Sequence, residues 1–441
     1  MKFGMGQPVT RREDIRFLTG TGQYVDDVPA DGVLIARVLR SPVAHGRMTA
    51  LDVAEARTLP GVHSVLTHAD IADRLTPMTC AMPVTQADGT PAATAPQPHL
   101  ANGTVRFVGE PVAWIVAESA AAAEDAAEAI LLDIEDLPPL PDSAAARAPG
   151  APALHPHLPG NRLYTWSVGD RAAAEAALAG SAHVVRAQVL NQRVVVASME
   201  PRAILATHDT ESGWEIWIGS QGSHAMKRMM AKDLGVSPDL IRIHTPDVGG
   251  GFGMKLMDHP EYALALLSAA DLGRPVKWVG DRSESFLSDS QGRGIETEAA
   301  AGFDAEGRLT GLLWHSVSNV GAYNSTASNA VHTAFSANLI GGVYDVRAVY
   351  HEVTGVVTNT TPMDAYRGAG RPEVLHVMER LMGAGAAALG LDPAEIRRRN
   401  VIRPEQLPYK TVGGITFDSL EAAAILDRAA EVADVAGFAA R

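Results

Sequence analysis

The sequence predicts a mixed α/β protein of the α+β class. Three observations carry that reading. Apolar runs of strand length alternate with longer helical stretches, and glycines and prolines punctuate the whole chain instead of clustering in one tail. Hydrophobic residues make up 46% and charged residues 20%, enough apolar surface for a large core. At 441 residues the chain exceeds one ordinary domain, so two or three packed units are expected.

In chain order, residues 33–39 and 111–116 read as buried strands. Helical stretches follow each, over 52–58 and 119–130, the second an Ala-rich run that Ser119 can cap. Residues 75–104 are rich in Pro, Ala and Thr without an apolar period and read as a long surface excursion. The Pro/Ala-rich stretch 137–159 reads as an interdomain connector. Beyond residue 161, strand-like segments recur at 183–196, 203–208 and 214–218. A helix over 223–234 should stop at Gly235 and lead into a strand over 241–244. The loop 245–253 then precedes a helix near 261–271, closed by Gly273, and a strand over 276–279. Later, a strand over 352–357 runs into the loop 358–370 and a helix opening at Pro372, a favoured first helical position.

Composition narrows the function. Net charge is −14 with no basic stretch to track a phosphate backbone, so nucleic acid is not an expected partner. Cys80 is the one cysteine, too few for a disulfide framework, a thiolate zinc site or an iron–sulfur cluster. No run approaches the roughly 20 apolar residues of a membrane span. Arg11-Arg12 is followed by Glu13 and Asp14 and by no apolar segment, so it is no twin-arginine signal; a cytoplasmic protein is expected.

The sharpest local feature is the loop from Asp247 to Gly253, in which four of the last five residues are glycine and Phe252 interrupts them. Between a strand and a helix such a loop can turn N–H groups toward an anion, and its plain alternative is a tight turn over a buried Phe. A second glycine run, Ala365 to Glu373, carries Arg367 and Arg371, which can hold an oxyanion or simply be solvated. Gln221, in Ser220-Gln221-Gly222-Ser223-His224, can donate to a bound oxygen or cap the next helix. His45, His155, His157, His224 and His259 show no metal-ligand spacing, and Glu373 suits the dipole of a helix start. No nucleophile motif or P-loop is present. These residues describe a cofactor-holding surface without its own acid or base.

The chain resembles, along its full length, the molybdenum-cofactor subunits of the xanthine dehydrogenase and aldehyde oxidase family. The likeness rests on Gly6-Gln7-Pro8-Val9 with Arg11 to Asp14, Leu18-Thr19-Gly20, Arg40-Ser41-Pro42, Arg106 to Ala113, Met199-Glu200-Pro201-Arg202, Gln221-Gly222, Asp247 to Gly253 with Lys255, and Ala365 to Glu373, in the family's order. The resemblance implies an α/β hammerhead domain over 1–140 and the first half of a molybdopterin-binding domain over 155–441. It implies molybdenum held by molybdopterin, or by its cytosine dinucleotide form, through the cofactor's own sulfurs, so no protein metal ligand is expected. Gln221, Gly250, Gly251, Phe252, Gly253 and Arg367 would contact the cofactor. Partner subunits would carry a [2Fe–2S] cluster and FAD.

Departures narrow the substrate. Gly368 stands where carbon monoxide dehydrogenases resemble one another in having a cysteine. Leu256 stands where xanthine-oxidising members have glutamate, residues 321–346 hold no arginine, and Ala369 replaces an aromatic ring. The resemblance therefore points to hydroxylation of a small molecule, an aldehyde or an aromatic N-heterocycle, with water as oxygen source. The family's general-base glutamate lies in the C-terminal half, so a further chain or segment is expected to supply it. The competing readings are a truncated, non-catalytic relative or fragment, and a generic nucleotide-binding module.

Overall fold

The computed structural model describes residues 6–440; residues 1–5 of the expected first domain and Arg441 lie outside the described residues. The first part of the chain supplies β1 (Leu34–Arg40), β2 (Gly46–Asp52), β3 (Val62–Leu66), β4 (Thr104–Val105), β5 (Pro111–Ala117) and β6 (Leu131–Asp136). β5 is buried along its whole length, which explains an apolar run without alternation. Ser119 does cap the helix Ala120–Glu128, its hydroxyl accepting from the Ala122 N–H.

Three expectations need correction. Residues 52–58 do not form a helix: β2 runs through Asp52, and only Ala56–Thr58 make a single 3-10 turn. The i, i+3 pair Val53 and Ala56 mimics a helical period, but both simply pack under β3 and β5. The excursion over 75–104 is not all surface. It folds back on itself through Met78–Gln97 and Thr85–Pro91 bridges, and Leu75, Met78, Ala95, Leu100 and Ala101 are buried. Nor is 137–159 a free connector, because Leu140, Ala146, Leu154 and Leu158 are buried against Tyr164, Val353 and Val356.

The rest of the chain supplies β7 (Arg162–Gly169), β8 (His183–Asn191), β9 (Ala203–Asp209), β10 (Gly213–Ile218), β11 (Ile241–His244), β12 (Val276–Val279), β13 (Ile295–Phe303), β14 (Leu309–Gly321) and β15 (Ala348–Val357). A seven-stranded sheet has the order β11-β10-β9-β12-β1-β5-β3, so strands from early and late in the chain share one sheet. The join is the parallel pair β1–β12, with Leu34 opposite Val276. A second, five-stranded sheet runs β7-β15-β14-β13-β8, and β4-β2-β6 form a small third one.

Helix Pro260–Leu272 packs on the first sheet and is buried from Pro260 through Ala269, as expected of a helix apolar on every side. Trp114 and Trp214 indole N–H groups fasten it, donating to the Ser268 hydroxyl and the Leu266 carbonyl. Helix Arg371–Leu389 covers the second sheet with Val374, Val377, Met378, Leu381 and Met382.

Strand direction positions the site. β10 and β11 are parallel, both β10 and β12 are antiparallel to β9, and β1 is parallel to β12. The loops leaving β1, β10, β11 and β12 therefore emerge on one edge, as the start of β9 does.

Candidate functional site

The glycine loop after β11 is anchored at both ends. Asp247 accepts from the Gln23 N–H and forms an ion pair with Arg16. Gly249 and Glu200 exchange two bonds: the Glu200 N–H donates to the Gly249 carbonyl at 3.0 Å, and the Gly249 N–H to Glu200 Oε2 at 2.8 Å. Between the anchors Gly250, Phe252 and Gly253 all have positive φ, +100°, +51° and +107°. Among the described residues, the N–H groups of Gly250, Gly251 and Phe252 meet no acceptor. Successive N–H groups in such a conformation make a concavity for an anion. Phe252 is 41% exposed, so its ring is presented, not buried.

Gln221 does not cap its helix. Gly222 occupies the cap of Ser223–Leu234 without a side-chain bond, while Gln221 Oε1 accepts from the Gly253 N–H at 2.8 Å. That contact fixes the amide so that its NH₂ end is the free one. Space is tight: a Cβ on Gly251 would come within 2.5 Å of Gln221 Oε1.

The second glycine run, leaving β15, closes on the first. The Arg367 N–H donates to the Phe252 carbonyl at 2.8 Å, and the Arg367 guanidinium lies 5.8 Å from the Phe252 ring centroid. A Cβ on Gly253 would strike the Ala365 carbonyl at 2.4 Å. Arg293 holds the turn from behind, donating to the carbonyls of Tyr366 and Arg367, each at 2.9 Å. Glu373 does more than suit a helix dipole: it is buried and paired with Arg293 at 3.3 Å. Sequence reasoning passed over Arg293, although its setting, Gly292-Arg293-Gly294, was a signal; Gly292 is needed because a Cβ would meet Tyr366 at 2.3 Å.

Beneath the loops lies an ionic floor. Lys255 Nζ donates to Glu200 Oε2 at 2.6 Å, with Lys255 almost fully buried. Burial pulls the Lys255 pKa down and Glu200 pushes it back up, leaving it below the usual lysine value. Further in, Arg202 binds Glu261 at 2.7 Å and Asp289 at 2.6 Å, while Arg40 binds Glu261 and Glu284, each at 2.6 Å.

Ala225 and Leu256, a few residues beyond Gln221 and Gly253 in the chain, line a cavity of about 370 Å³. Met82, Ala225, Met229, Leu256 and Met257 give it apolar walls, and Asp233 and Asp258 line another part. Leu256 belongs to both places: its Cδ1 lies 2.6 Å from where a Gly222 Cβ would be. The candidate histidines are spread out. His45, His155, His157 and His259 each contact a backbone carbonyl. Among the described residues, no three His, Cys, Asp or Glu side chains converge as metal ligands. No single helix among them is long and apolar enough to cross a membrane.

Residues 19–138 match the a/b hammerhead domain of aldehyde oxidase and xanthine dehydrogenase, and residues 154–401 match the molybdopterin cofactor-binding domain. The nicotine 6-hydroxylase large subunit of Paenarthrobacter nicotinovorans is 36% identical, over 99% of this chain and 53% of its own length. The carbon monoxide dehydrogenase large chain of Hydrogenophaga pseudoflava is 33% identical, over 94% of this chain and 52% of its own. Quinoline 2-oxidoreductase from Pseudomonas putida 86 has a TM-score of 0.92 at 38% identity, covering 99% of this chain and 55% of that one. The chain thus spans about half the length of the relatives it matches. With both domain matches falling in order on a fold shared at that level, the chain belongs to the xanthine dehydrogenase family of molybdenum-binding subunits.

Proposed function

We propose that this chain is the molybdenum-cofactor-holding part of a hydroxylase that oxidises an aromatic N-heterocycle, or less favourably an aldehyde, with water as oxygen source. The observation that carries the reading is the closure of two glycine loops on one another, which brings Gln221, Phe252 and Arg367 together, while Leu256, three residues beyond Gly253, lines a largely apolar cavity. The residues fit a molybdopterin group. Three N–H groups without acceptors among the described residues suit its phosphate, and the group would hold the metal through its own sulfurs. The bound group would supply the redox chemistry at the reacting carbon.

This chain's residues position and shield. Gln221 would offer its NH₂ to an oxygen of the group, Gly250 to Gly253 would let the backbone approach closely, and Arg367 would offset negative charge. The cavity walls of Met and Leu favour a flat apolar ring over a charged purine. The names of nicotine 6-hydroxylase and quinoline 2-oxidoreductase support the heterocycle over the aldehyde. Gly368 offers no thiol, which disfavours carbon monoxide. We further propose the cytosine dinucleotide form, a [2Fe–2S] subunit and an FAD subunit as partners, and a chain or segment that brings the general-base glutamate. The domain boundaries expected from the sequence, 1–140 and 155–441, belong to the same proposal.

The test is elemental molybdenum and pterin content of the chain purified with whatever accompanies it, followed by a dye-coupled screen of quinoline- and pyridine-type rings against aldehydes. Near-stoichiometric molybdenum with ring turnover supports the proposal. Absence of molybdenum and pterin overturns it in favour of a non-catalytic scaffold.

A further inference from the structure

A second cavity, of about 390 Å³, lies against the excursion 75–104. Arg106, Asn102 and His68 line it, and Pro77, Pro96 and Pro98 give it apolar walls. It shares no lining residue with the cavity lined by Ala225 and Leu256, so it is separate from the candidate site. No Asp or Glu lines it, in a chain whose net charge is −14. Arg106 is the one Lys or Arg on its wall. His99 and His155, which also line it, are lowered by burial to about 4 and are neutral rings at neutral pH.

Three hydrogen bonds fix the Arg106 side chain. Its Nε donates to the Leu154 carbonyl at 3.3 Å, and its Nη1 donates to the Thr104 carbonyl and the Tyr323 hydroxyl, each at 3.2 Å. The guanidinium also lies 5.8 Å from the Tyr323 ring centroid. Among the described residues Nη2 has no acceptor, and no carboxylate forms an ion pair with this arginine. Glu110 is close by, but its oxygens are already engaged: Oε1 accepts from the Tyr323 hydroxyl at 2.5 Å and Oε2 from the Arg106 backbone N–H. Burial pushes Glu110 up to about 7, so at neutral pH it answers the guanidinium with less than a full charge. Tying residues 104 and 154 together needs only Nε and Nη1. A guanidinium locked on two nitrogens and open on the third is preorganised for a ligand, because ordering the side chain costs nothing further.

We propose that this cavity binds a small organic monoanion, a carboxylate on a flat or compact apolar body, with a carboxylate oxygen on Arg106 Nη2. One fixed cation answers one negative charge; a phosphate dianion would leave its second charge unmatched on a wall with no other Lys or Arg. The prolines and Leu75 offer apolar area to the body of the ligand, and the volume falls within the roughly 300–1,000 Å³ of small-molecule sites. The side chains of Asn102 and His68 make no hydrogen bond among the described residues, His68 Nδ1 being buried without a partner, so both have bonding capacity left on this wall. The inference stands apart from the hydroxylase reading, and each can fail without the other.

The test titrates benzoate into the full chain, by calorimetry and saturation-transfer NMR, with benzamide and inorganic phosphate as controls. Benzoate should saturate one site and bind about tenfold or more tighter than benzamide, which has the same ring and no charge. Arg106→Gln should weaken benzoate by about tenfold or more and leave benzamide within about twofold. Ala72→Trp places a ring in the cavity from an exposed position that takes no part in the Arg106 bonds, and should weaken benzoate by about tenfold or more. No saturable binding up to about 10 mM, or benzoate no tighter than benzamide, overturns the proposal. Phosphate binding tighter than benzoate overturns the ligand class. Should Arg106→Gln fail to fold, Ala72→Trp decides: unchanged benzoate binding would put the site elsewhere and overturn the assignment. None of these readings needs molybdenum or turnover.

Discussion

At the scale of single residues, the site is a set of close approaches that glycine permits. Gly251 tests this most cleanly, because its φ is not positive and only space forbids a side chain. Gly251→Ala should push Gln221 off its bond to the Gly253 N–H. The expected outcome is a folded protein that has lost most of its molybdenum, read by elemental analysis beside circular dichroism; full molybdenum content would show that Gln221 does not help to hold the group. The two glycine runs stood out in the sequence as clusters, but Gln221 and Arg367 each kept a plain alternative there, a helix cap and a solvated arginine, and only the family resemblance singled them out. The partner of Gln221 was not legible, since 32 residues separate it from Gly253 and only the parallel pair β10–β11 brings their loops together. Arg293 stayed hidden for the same reason, its targets lying 73 and 74 residues away.

At the scale of elements, buried charge in the first turn of helix Pro260–Leu272 and near the end of helix Ser223–Leu234 gives pH responses of opposite sign. Burial alone would raise the Glu261 pKa, but Arg202 and Arg40 overcome it and hold the carboxylate well below its usual 4.5. Its contribution is thus complete above the unfolded value and lost as pH falls through the folded one. Arg202→Met leaves Glu261 and Asp289 underpaired and should cost about 3–5 kcal/mol in denaturant titrations at neutral pH; a loss near zero would mean that water reaches the pair. Asp233 works the other way. Asp233, raised to about 6, binds its proton more tightly folded than unfolded, so stability is complete at low pH and lost as pH rises through that value. Asp233→Asn should therefore gain thermal stability on the parent progressively between about pH 4 and pH 6. A constant difference across that range would mean that folding does not raise Asp233. Neither network was legible, although element bounds often were. The helix Ser223–Leu234 and the strands Ile241–His244 and Val276–Val279 matched expectation because Gly235 and Gly273 take the left-handed stop that their positions advertise. β13 and β14 went unread: alternation in Ile295–Phe303 gives way to a run of Ala buried on both faces, which has no period to detect.

At the scale of the whole molecule, the least legible feature was the sheet itself. Composition shifts at residues 137–159 suggest two independent bodies, yet β1, β3 and β5 share a sheet with β9 to β12. Pairing between Leu34 and Val276 spans more than half the chain, and no local pattern encodes it. The consequence is physical coupling. Leu34 is fully buried in the core that also contains Ile204, Leu264 and Trp278, so the early segment cannot unfold without exposing the later one. Leu34→Ala should cost about 2–5 kcal/mol. Hydrogen exchange under native conditions should then accelerate by the same factor in peptides from β1, β9 and β12, while β14 and β15 in the other sheet respond less. A faster exchange confined to residues before 140 would mean that the β1–β12 pairing is a contact between separate cooperative units. Equal acceleration across the join would mean that the edge carrying Gln221 and the glycine loop depends for its rigidity on strands contributed from both ends of the chain.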